Sequence, residues 1–291
     1  MKTMADRMTG SFHFSDACTK VSAIILMALT PLVLDAQRMP MTGVLPSENE
    51  VVDGFSVGGG TAFALDEYLS PNEYLGFSIG ARLDRMSGRG EGKLFVYSRN
   101  RTSFSFGDMR NVAGNGRELE ATVGMFNVWE TPLVHYRHYD LLAGPSVGGS
   151  IDALYNLRNS NNPANVHGWI AVGVGFDSMF RFRVGHLPLA LDASVNMPVA
   201  GVFFVPEYNL PYYLLFEESL YGKAIHFMNP FNVTFLTHDV SLFVPVGRNQ
   251  LSLSMSIDYM IHCLSGNATA INHYRFALGY VHRFERKYNG R

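Results

Sequence analysis

The stretch from Leu251 to Ile261 reads LSLSMSIDYMI, and an apolar side chain occupies every second position of it. Three serines, Asp258 and Met260 separate these apolar residues. Successive side chains of a β-strand point to opposite faces, so the segment predicts a strand with one apolar and one mostly polar face. It is also long enough to cross a bilayer as a tilted strand, which takes about 9–11 residues.

The same alternation recurs along most of the chain, for example in residues 75–83 (LGFSIGARL) and 187–197 (LPLALDASVNM). Ten candidate strands lie near residues 54–65, 75–83, 93–107, 118–129, 138–155, 168–184, 187–197, 231–244, 251–261 and 273–284. We therefore predict an all-β protein, folded as an antiparallel up-and-down transmembrane β-barrel of about ten strands. An additional hairpin in residues 130–137 would raise the number to twelve.

The connections between the candidate strands alternate in length. Outer loops are predicted near residues 66–73, 108–117, 156–167, 205–230 and 264–272, and inner turns near 87–92, 130–137, 185–186 and 245–250. Long loops outside and short turns inside are typical of outer-membrane barrels, and an even number of strands leaves both termini in the periplasm.

Composition agrees with this class of protein. Charged residues make up 16% of the chain, against about 25% in an ordinary globular protein. The net charge of −2 gives no reason to expect binding to nucleic acid. No run of 18 apolar residues follows the N-terminal region, so no membrane helix is expected there. The open alternatives are a secreted β-sandwich and a soluble lipocalin-like barrel, whose strands alternate in the same way.

The N-terminal region predicts a signal peptide. Residues 21–34 form an uncharged apolar stretch that follows a mildly basic segment and is too short to span a bilayer as a helix. A buried N-terminal helix is the alternative. With cleavage after Ala36, we predict a signal peptide (1–36), a periplasmic lead-in (37–50), a barrel (51–284) and a periplasmic tail (285–291). Only Cys263 then remains, which excludes an internal disulfide in the mature chain.

The last candidate strand carries an aromatic face formed by Tyr274, Phe276, Leu278, Tyr280 and Phe284. An aromatic ending of this kind is typical of the signal that barrel-assembly machinery recognises. Tyrosine and phenylalanine at strand ends also suit the aromatic girdles at the membrane interfaces. The expected partners are therefore outer-membrane lipid and, during insertion, the barrel-assembly machinery.

Two segments resemble a known family. Residues 159–164 read NSNNPA, and residues 198–208 read PVAGVFFVPEY. Tyr212, Tyr213 and Phe216 follow the second segment. Together they resemble a family of outer-membrane barrels from Bacteroidota that is described as a domain of unknown function, over roughly residues 45–286. The resemblance implies a barrel in the bacterial outer membrane and supplies no established activity.

The longest predicted connection, residues 203–230, is rich in aromatic and acidic side chains. Long loops usually have a function or fold onto something, so we expect this segment to cap the outer mouth of the barrel. A loop that lies on lipid is the alternative. The candidate ligand or cap residues are Glu207, Tyr208, Tyr212, Tyr213 and Phe216.

The polar faces of the strands predict a hydrophilic lumen. Its candidate residues are Arg82, Asp84, Asp192, Asn196, Asp258, Arg275 and Arg283. The three acids and three bases of this set balance. Since a barrel of about eight strands is filled by its own side chains, a ten-stranded one predicts a narrow interior without a wide pore. Two alternatives remain for the interior, a narrow conduit and a small-ligand pocket under the cap.

Candidate catalytic residues are few. His238, Asp239 and Ser241 invite comparison with lipases, but neighbouring strand residues face opposite ways, so His238 and Asp239 reach one site only across a bulge. His135 and His138, three residues apart, are expected to be interfacial or turn residues. Gly58, Gly59 and Gly60 indicate a bend or a close-packed position.

We therefore expect an outer-membrane barrel of the binding, structural or narrow-pore type, with no catalytic residue, metal or cofactor. The alternative is a membrane-embedded lipid hydrolase or acyltransferase.

Overall fold

The computed structural model describes residues 45–48, 50–90, 95–160, 162–208, 210–264 and 266–285. The predicted signal peptide lies outside the described residues, as do residues 37–44 and 49 of the predicted lead-in and residues 286–291 of the predicted tail. No helix in the described part of the chain is long and apolar enough to cross a membrane.

Ten long strands dominate the described residues. They are β1 (Glu50–Asp66), β2 (Ser70–Arg89), β3 (Val96–Asn111), β4 (Arg117–Tyr136), β5 (Tyr139–Asn156), β6 (Ala164–Val184), β7 (Leu187–Phe204), β9 (Val233–Val246), β10 (Asn249–His262) and β11 (Thr269–Glu285). Between β7 and β9 lie helix α1 (Tyr212–Glu217), a 3₁₀ turn (Tyr221–Lys223) and the short strand β8 (Ile225–Met228). All ten predicted strands are therefore present, and only β8 was not predicted.

The long strands form one closed antiparallel sheet. Each pairs with its neighbours along the chain, β7 pairs with both β6 and β9, and β1 pairs with β11 along its whole length. Closure removes the unpaired edges that an open sheet would expose. The short β8 adds to the end of β7 outside this ring, at residues 201–204.

The twelve-strand alternative is wrong. Residues 130–136, predicted as a turn, continue β4, and the chain reverses at residues 137–138. Pro132 lies in this segment, and proline usually interrupts a strand. Here the pairing of β4 with β5 shifts register between Pro132 and Val134, so a bulge accommodates the proline.

The two ends of the barrel differ as predicted. At the end that we call the turn end, residues 137–138, 185–186 and 247–248 are two-residue connections. Gly185 and Gly247 have positive φ there (62° and 64°), a conformation that glycine adopts without steric cost. The opposite end, the loop end, carries the 28-residue connection 205–232, whereas the first predicted loop is shorter than expected and comprises only residues 67–69.

The two faces of the sheet differ in polarity. Phe77, Ile79 and Leu253 face outward with 57%, 52% and 52% of their surface exposed, while Ser252 and Ser254 are buried inside. This is the reverse of a sandwich or a lipocalin, whose apolar faces point inward. A closed sheet with an apolar exterior leaves no polar backbone edge in lipid. The protein is therefore an outer-membrane β-barrel and lies in the bacterial outer membrane.

The glycine triplet in β1 marks a close approach of two strands, as predicted. A Cβ on Gly58 would lie 2.0 Å from the carbonyl oxygen of Phe276, and one on Gly60 would lie 1.8 Å from that of Tyr274. Both distances are far below van der Waals contact, so glycine permits β1 and β11 to close the barrel here.

Candidate functional site

The middle of the lumen is crossed by a ring of four charged side chains. The guanidinium of Arg82 contacts Asp84 at 2.7 Å and Asp239 at 2.6 Å. Arg101 contacts the same two acids. Strands β2 and β9 are not neighbours in the sheet, so these contacts reach across the interior. The ring is neutral, and each of its arginines faces two carboxylates.

A second cluster lies next to this ring and is centred on Arg99. Its guanidinium contacts Asp177, lies 3.4 Å from Asp192 and lies 4.0 Å from Glu130. All four side chains are at least nine-tenths buried. We call these residues the Arg99 cluster. One base thus faces three acids in a region that water barely reaches.

Toward the loop end, the lumen is filled by aromatic side chains. Trp169 lies between Phe126 and Phe235, with ring-centroid distances of 5.5 Å and 4.7 Å. Phe126 and Phe235 themselves lie 6.2 Å apart, although β4 and β9 are not neighbours in the sheet. These rings belong to the largest buried apolar cluster of the described residues. The cluster thus places apolar side chains from non-neighbouring strands in contact inside the lumen.

Toward the turn end lies a smaller apolar cluster. Leu45, from the lead-in, and Phe243 pack against the buried side chains of Val52, Met86 and Val281. Between this cluster and the charged ring lies a cavity of about 60 Å³. Since one water needs about 10–15 Å³, the cavity has room for about four to six water-sized groups.

Buried acids and histidines line the loop end of the lumen, above the aromatic cluster. Glu120 and His273 form a contact of 2.8 Å across the interior. Asn165 donates a hydrogen bond to Asp66 at 2.6 Å, and its amide nitrogen lies 3.0 Å from the ring of His167. The long connection, residues 205–232, packs against this layer.

The connection 205–232 is attached to that layer through Tyr212. The Tyr212 hydroxyl donates to Asn165 at 2.8 Å and accepts from the backbone N–H of Val166 at 2.7 Å. Tyr68, in the first loop, contacts the Tyr212 ring edge-on and donates to the carbonyl oxygen of Leu210 at 2.9 Å. Burial raises the pKa of both tyrosines, so their hydroxyls stay protonated as donors.

The other candidate residues of the connection point away from the barrel. Tyr208, Tyr213 and Phe216 are more than half exposed. Glu207 lies near the surface, 3.8 Å from Lys223. Of the five candidates, only Tyr212 contacts the interior. The structure instead uses Leu215 and Ala224, both fully buried, to pack the connection together.

Comparison with known proteins identifies the family. Residues 23–290 match the model of the family described as "Protein of unknown function (DUF3316)". The chain belongs to this family. The predicted resemblance to a family of unknown function is thereby confirmed, and an origin in Bacteroidota stays a prediction. No curated protein sequence is measurably similar to the chain.

Several solved structures share a distant similarity with this DUF3316 barrel. An outer membrane channel from Pseudomonas putida F1 is 14% identical, with a TM-score of 0.37, covering 86% of this chain and 100% of that one. The outer membrane protease OmpT from Escherichia coli is 7% identical, with a TM-score of 0.41 and coverage of 84% and 100%. The translocator domain of the autotransporter NalP from Neisseria meningitidis is 8% identical, with a TM-score of 0.42 and coverage of 95% and 98%.

The predicted lumen residues of the DUF3316 barrel lie at inward positions. Arg82, Asp84 and Asp192 belong to the two mid-barrel clusters, and Asn196 is buried nearby on β7. Arg275 pairs with Asp258. Arg283 lies at the turn end, 2.9 Å from Glu50.

The predicted balance of charge does not extend to the whole interior. Among the described residues, nine acidic side chains are almost fully buried, and Arg99 is the one arginine buried to the same degree. Arg82 and Arg101 of the ring keep 16% and 14% of their side-chain surface exposed. Sequence analysis missed Arg99 and Arg101 as lumen residues, although they alternate with Asn100 in a predicted strand. It also missed Glu130, which lies in a segment predicted as a turn, and Asp177, which lies within a predicted strand.

The suspected catalytic residues do not form a site. His238 lies on the outward face of β9, whereas Asp239 contacts Arg82 and Arg101 inside. The Ser241 hydroxyl lies 2.9 Å from that of Ser254. At the turn end, His135 contacts Asp140, and His138 lies in the two-residue turn. Nowhere in the described ranges do three histidine, cysteine or acidic residues lie close enough to hold a metal ion.

Proposed function

We propose that this DUF3316 protein is a non-conducting outer-membrane barrel of the binding or structural type, capped on its outer side by residues 203–230. The loop end faces the cell exterior in this proposal, and the turn end faces the periplasm. The observation that carries it is apolar packing at two levels of the lumen. Aromatic side chains pack toward the loop end, and Leu45 packs against Val52, Met86 and Val281 toward the turn end. In this proposal the two layers together interrupt a continuous water path.

The charged layer between the two apolar layers supports the proposal. A pore needs a continuous hydrated path, but Arg82 and Arg101 bridge β2 and β3 to Asp239 on the opposite wall. These cross-barrel ion pairs are buried, and such pairs are costly to break one partner at a time. They join opposite walls of the barrel, and a cavity of about 60 Å³ lies beside them. We therefore favour a binding or structural role over a narrow pore.

The seating of the cap supports the proposed orientation. Tyr212 and Tyr68 fix the long connection to the lumen through hydrogen bonds at buried atoms. Tyr208, Tyr213 and Phe216 of the cap are more than half exposed, so in this proposal they are available to contact an external molecule. We also propose that the barrel-assembly machinery inserts the protein and recognises the aromatic face of β11.

Planar-bilayer recording of the purified full-length protein tests the proposal. We expect no stepwise conductance at protein amounts for which insertion is verified independently by protease protection. A matched variant, Trp169→Ala, removes the central ring of the aromatic cluster and is expected to increase leakage. Stable single-channel openings of the unmodified protein would contradict the proposal and favour a narrow pore.

A further inference from the structure

A row of four polar side chains interrupts the apolar exterior of the barrel. Asp53, Arg85, Asn100 and Asn127 lie on the adjacent strands β1 to β4. The register of these strands pairs Asp53 with Arg85, Arg85 with Asn100, and Asn100 with Asn127. The four residues are therefore direct neighbours across the sheet. We call them the polar row.

The side chains of the polar row point away from the lumen. Asn100 lies between Arg99 and Arg101, which both belong to the charged clusters inside, so its own side chain faces outward. About 60% of the Arg85 side chain and 42% of the Asp53 side chain are exposed. The row thus lies on the surface that faces the membrane.

One end of the polar row lies within the apolar part of that surface. Along β4, the outward neighbours of Asn127 on its two sides are Met125 and Trp129, which are both exposed. Along β2, the outward neighbour of Arg85 toward the loop end is the exposed Leu83. The row therefore extends in among side chains that face lipid and is not confined to the rim of the barrel.

The polar groups of the row satisfy one another only in part. Asn100 Nδ2 donates to Asn127 Oδ1 at 2.8 Å. Each amide group carries two donors and an acceptor oxygen, so this bond leaves most of their capacity unused. Arg85 and Asp53 form an ion pair of 3.5 Å, and within the described residues Asp53 Oδ1 accepts no hydrogen bond. Polar groups that face hydrocarbon are costly, so the row calls for a partner in the membrane.

The composition and depth of the row favour a second copy of this chain as that partner. A lipid phosphate would meet the carboxylate of Asp53 beside Arg85, and headgroups lie outside the apolar band that surrounds Asn127. A second copy presents the same donors, acceptors and opposite charges at the same depth of the membrane. Most homo-oligomers are symmetric, and a two-fold axis brings the same patch of both subunits together.

We propose that the barrel dimerises through the polar row, so that Arg85 of each copy contacts Asp53 of the other, and Asn100 and Asn127 bond across the interface. The two-fold axis runs along the membrane normal. Polar side chains that face the membrane stabilise contacts between membrane-spanning segments in the same way. This inference goes beyond the proposed function and does not depend on whether the lumen conducts.

Sedimentation equilibrium of the full-length protein in density-matched detergent micelles tests the inference. Arg85→Asp places acids on both sides of the interface, and Asp53→Arg places bases there. We expect either variant alone to raise the dissociation constant of the dimer by about tenfold or more, since like charges across an interface repel. An equimolar mixture of the two variants is expected to restore the dimer, because one chain then supplies two acids and the other two bases.

The mixture separates contacts between copies from the ion pair within one chain. In each variant the Arg85–Asp53 pair of the same chain is repulsive, so restoration on mixing arises only between copies. Asn127→Leu is an uncharged second test and is expected to weaken the dimer while the barrel stays folded. Arg117→Asp, at the exposed ion pair with Asp108 at the loop end, is the matched control and is expected to leave association unchanged.

Three results would overturn the inference. They are a monomer at every protein concentration, a dimer that Arg85→Asp, Asp53→Arg and Asn127→Leu leave unchanged, and a mixture that associates no better than the single variants. The second result would place the contact between copies on another face of the barrel. Conductance in planar bilayers bears only on the proposed function, so the two proposals can fail separately.

Discussion

Arg99 contacts three buried acids, Glu130, Asp177 and Asp192, and in the part of the chain that the structure describes it is the one cation within salt-bridge distance of them. Arg99→Met keeps much of the side-chain volume and leaves the three acids without that cation. We expect it to lower the free energy of unfolding by about 3–5 kcal/mol, the usual cost of removing one partner from a buried ion pair. Urea-induced unfolding in detergent micelles, followed by tryptophan fluorescence, measures the change.

Arg117→Met is the control for this prediction. Arg117 pairs with Asp108 at 2.8 Å, but about half of its side chain is exposed. Exposed ion pairs contribute little, so we expect a much smaller change. An equal loss of unfolding free energy in Arg99→Met and Arg117→Met would contradict the prediction that the buried ion pairs of the Arg99 cluster contribute more to stability than an exposed pair.

Gly144 tests the close packing of the strands. A Cβ at this position of β5 would lie 1.7 Å from the carbonyl oxygen of Trp129 on β4. Gly144→Ala must therefore push the strands apart, and we expect a loss of about 1–3 kcal/mol in unfolding free energy, as for other overpacked sites. Gly168→Ala is the control, since its nearest contact would be an ordinary 3.9 Å. Urea-induced unfolding measures the unfolding free energy of both variants. Equal unfolding free energies of Gly144→Ala and Gly168→Ala would refute the prediction.

At the residue scale, the alternation of apolar and polar residues predicts which face of the sheet a side chain occupies. It does not predict which other residues that side chain contacts. The positions of Arg82, Asp84 and Asp192 inside the barrel could be predicted from a period of two. Their partners could not, because the contact of Arg82 with Asp239 joins β2 to β9 across the lumen. Such contacts depend on the register and closure of the whole sheet, which no local pattern contains.

At the scale of elements, the long connection between β7 and β9 is attached to the barrel through the pairing of β8 with β7 and through Tyr212. Tyr212→Phe removes the hydroxyl that bridges Asn165 and Val166. We expect a loss of about 1 kcal/mol in local stability, typical of one hydrogen bond. Hydrogen–deuterium exchange of peptides from residues 205–224 should accelerate accordingly. Tyr213→Phe, whose hydroxyl lies on an exposed side chain, should leave exchange unchanged; equal effects would contradict the seating of the cap.

The elements also show where sequence patterns mislead. Ten strands could be predicted, because each carries its own alternation. The end of β4 could not, since Pro132 resembles a turn residue until its bulge opposite β5 is seen. The short β8 was missed because four residues are too few to display a period, and it exists through pairing with the end of β7. Cap residues were likewise predicted by composition, which cannot distinguish Tyr212 from its exposed neighbour Tyr213.

At the scale of the whole molecule, one arrangement explains both the location and the proposed role. Apolar side chains such as Phe77 and Leu278 cover the outside of a closed sheet, and charged side chains such as Arg82 and Asp239 pair across its interior. The exterior places the protein in the outer membrane, and the paired interior supports the proposed binding or structural role. Both conclusions fail together if the sheet is not closed around its polar residues.

Electrophoresis of the outer-membrane fraction, with and without boiling, tests that arrangement most directly. A closed barrel resists unfolding by detergent at room temperature, so we predict that the unboiled protein is found in this fraction and migrates faster than the boiled form. Recovery in the soluble fraction, with a single band that boiling does not move, would contradict the account.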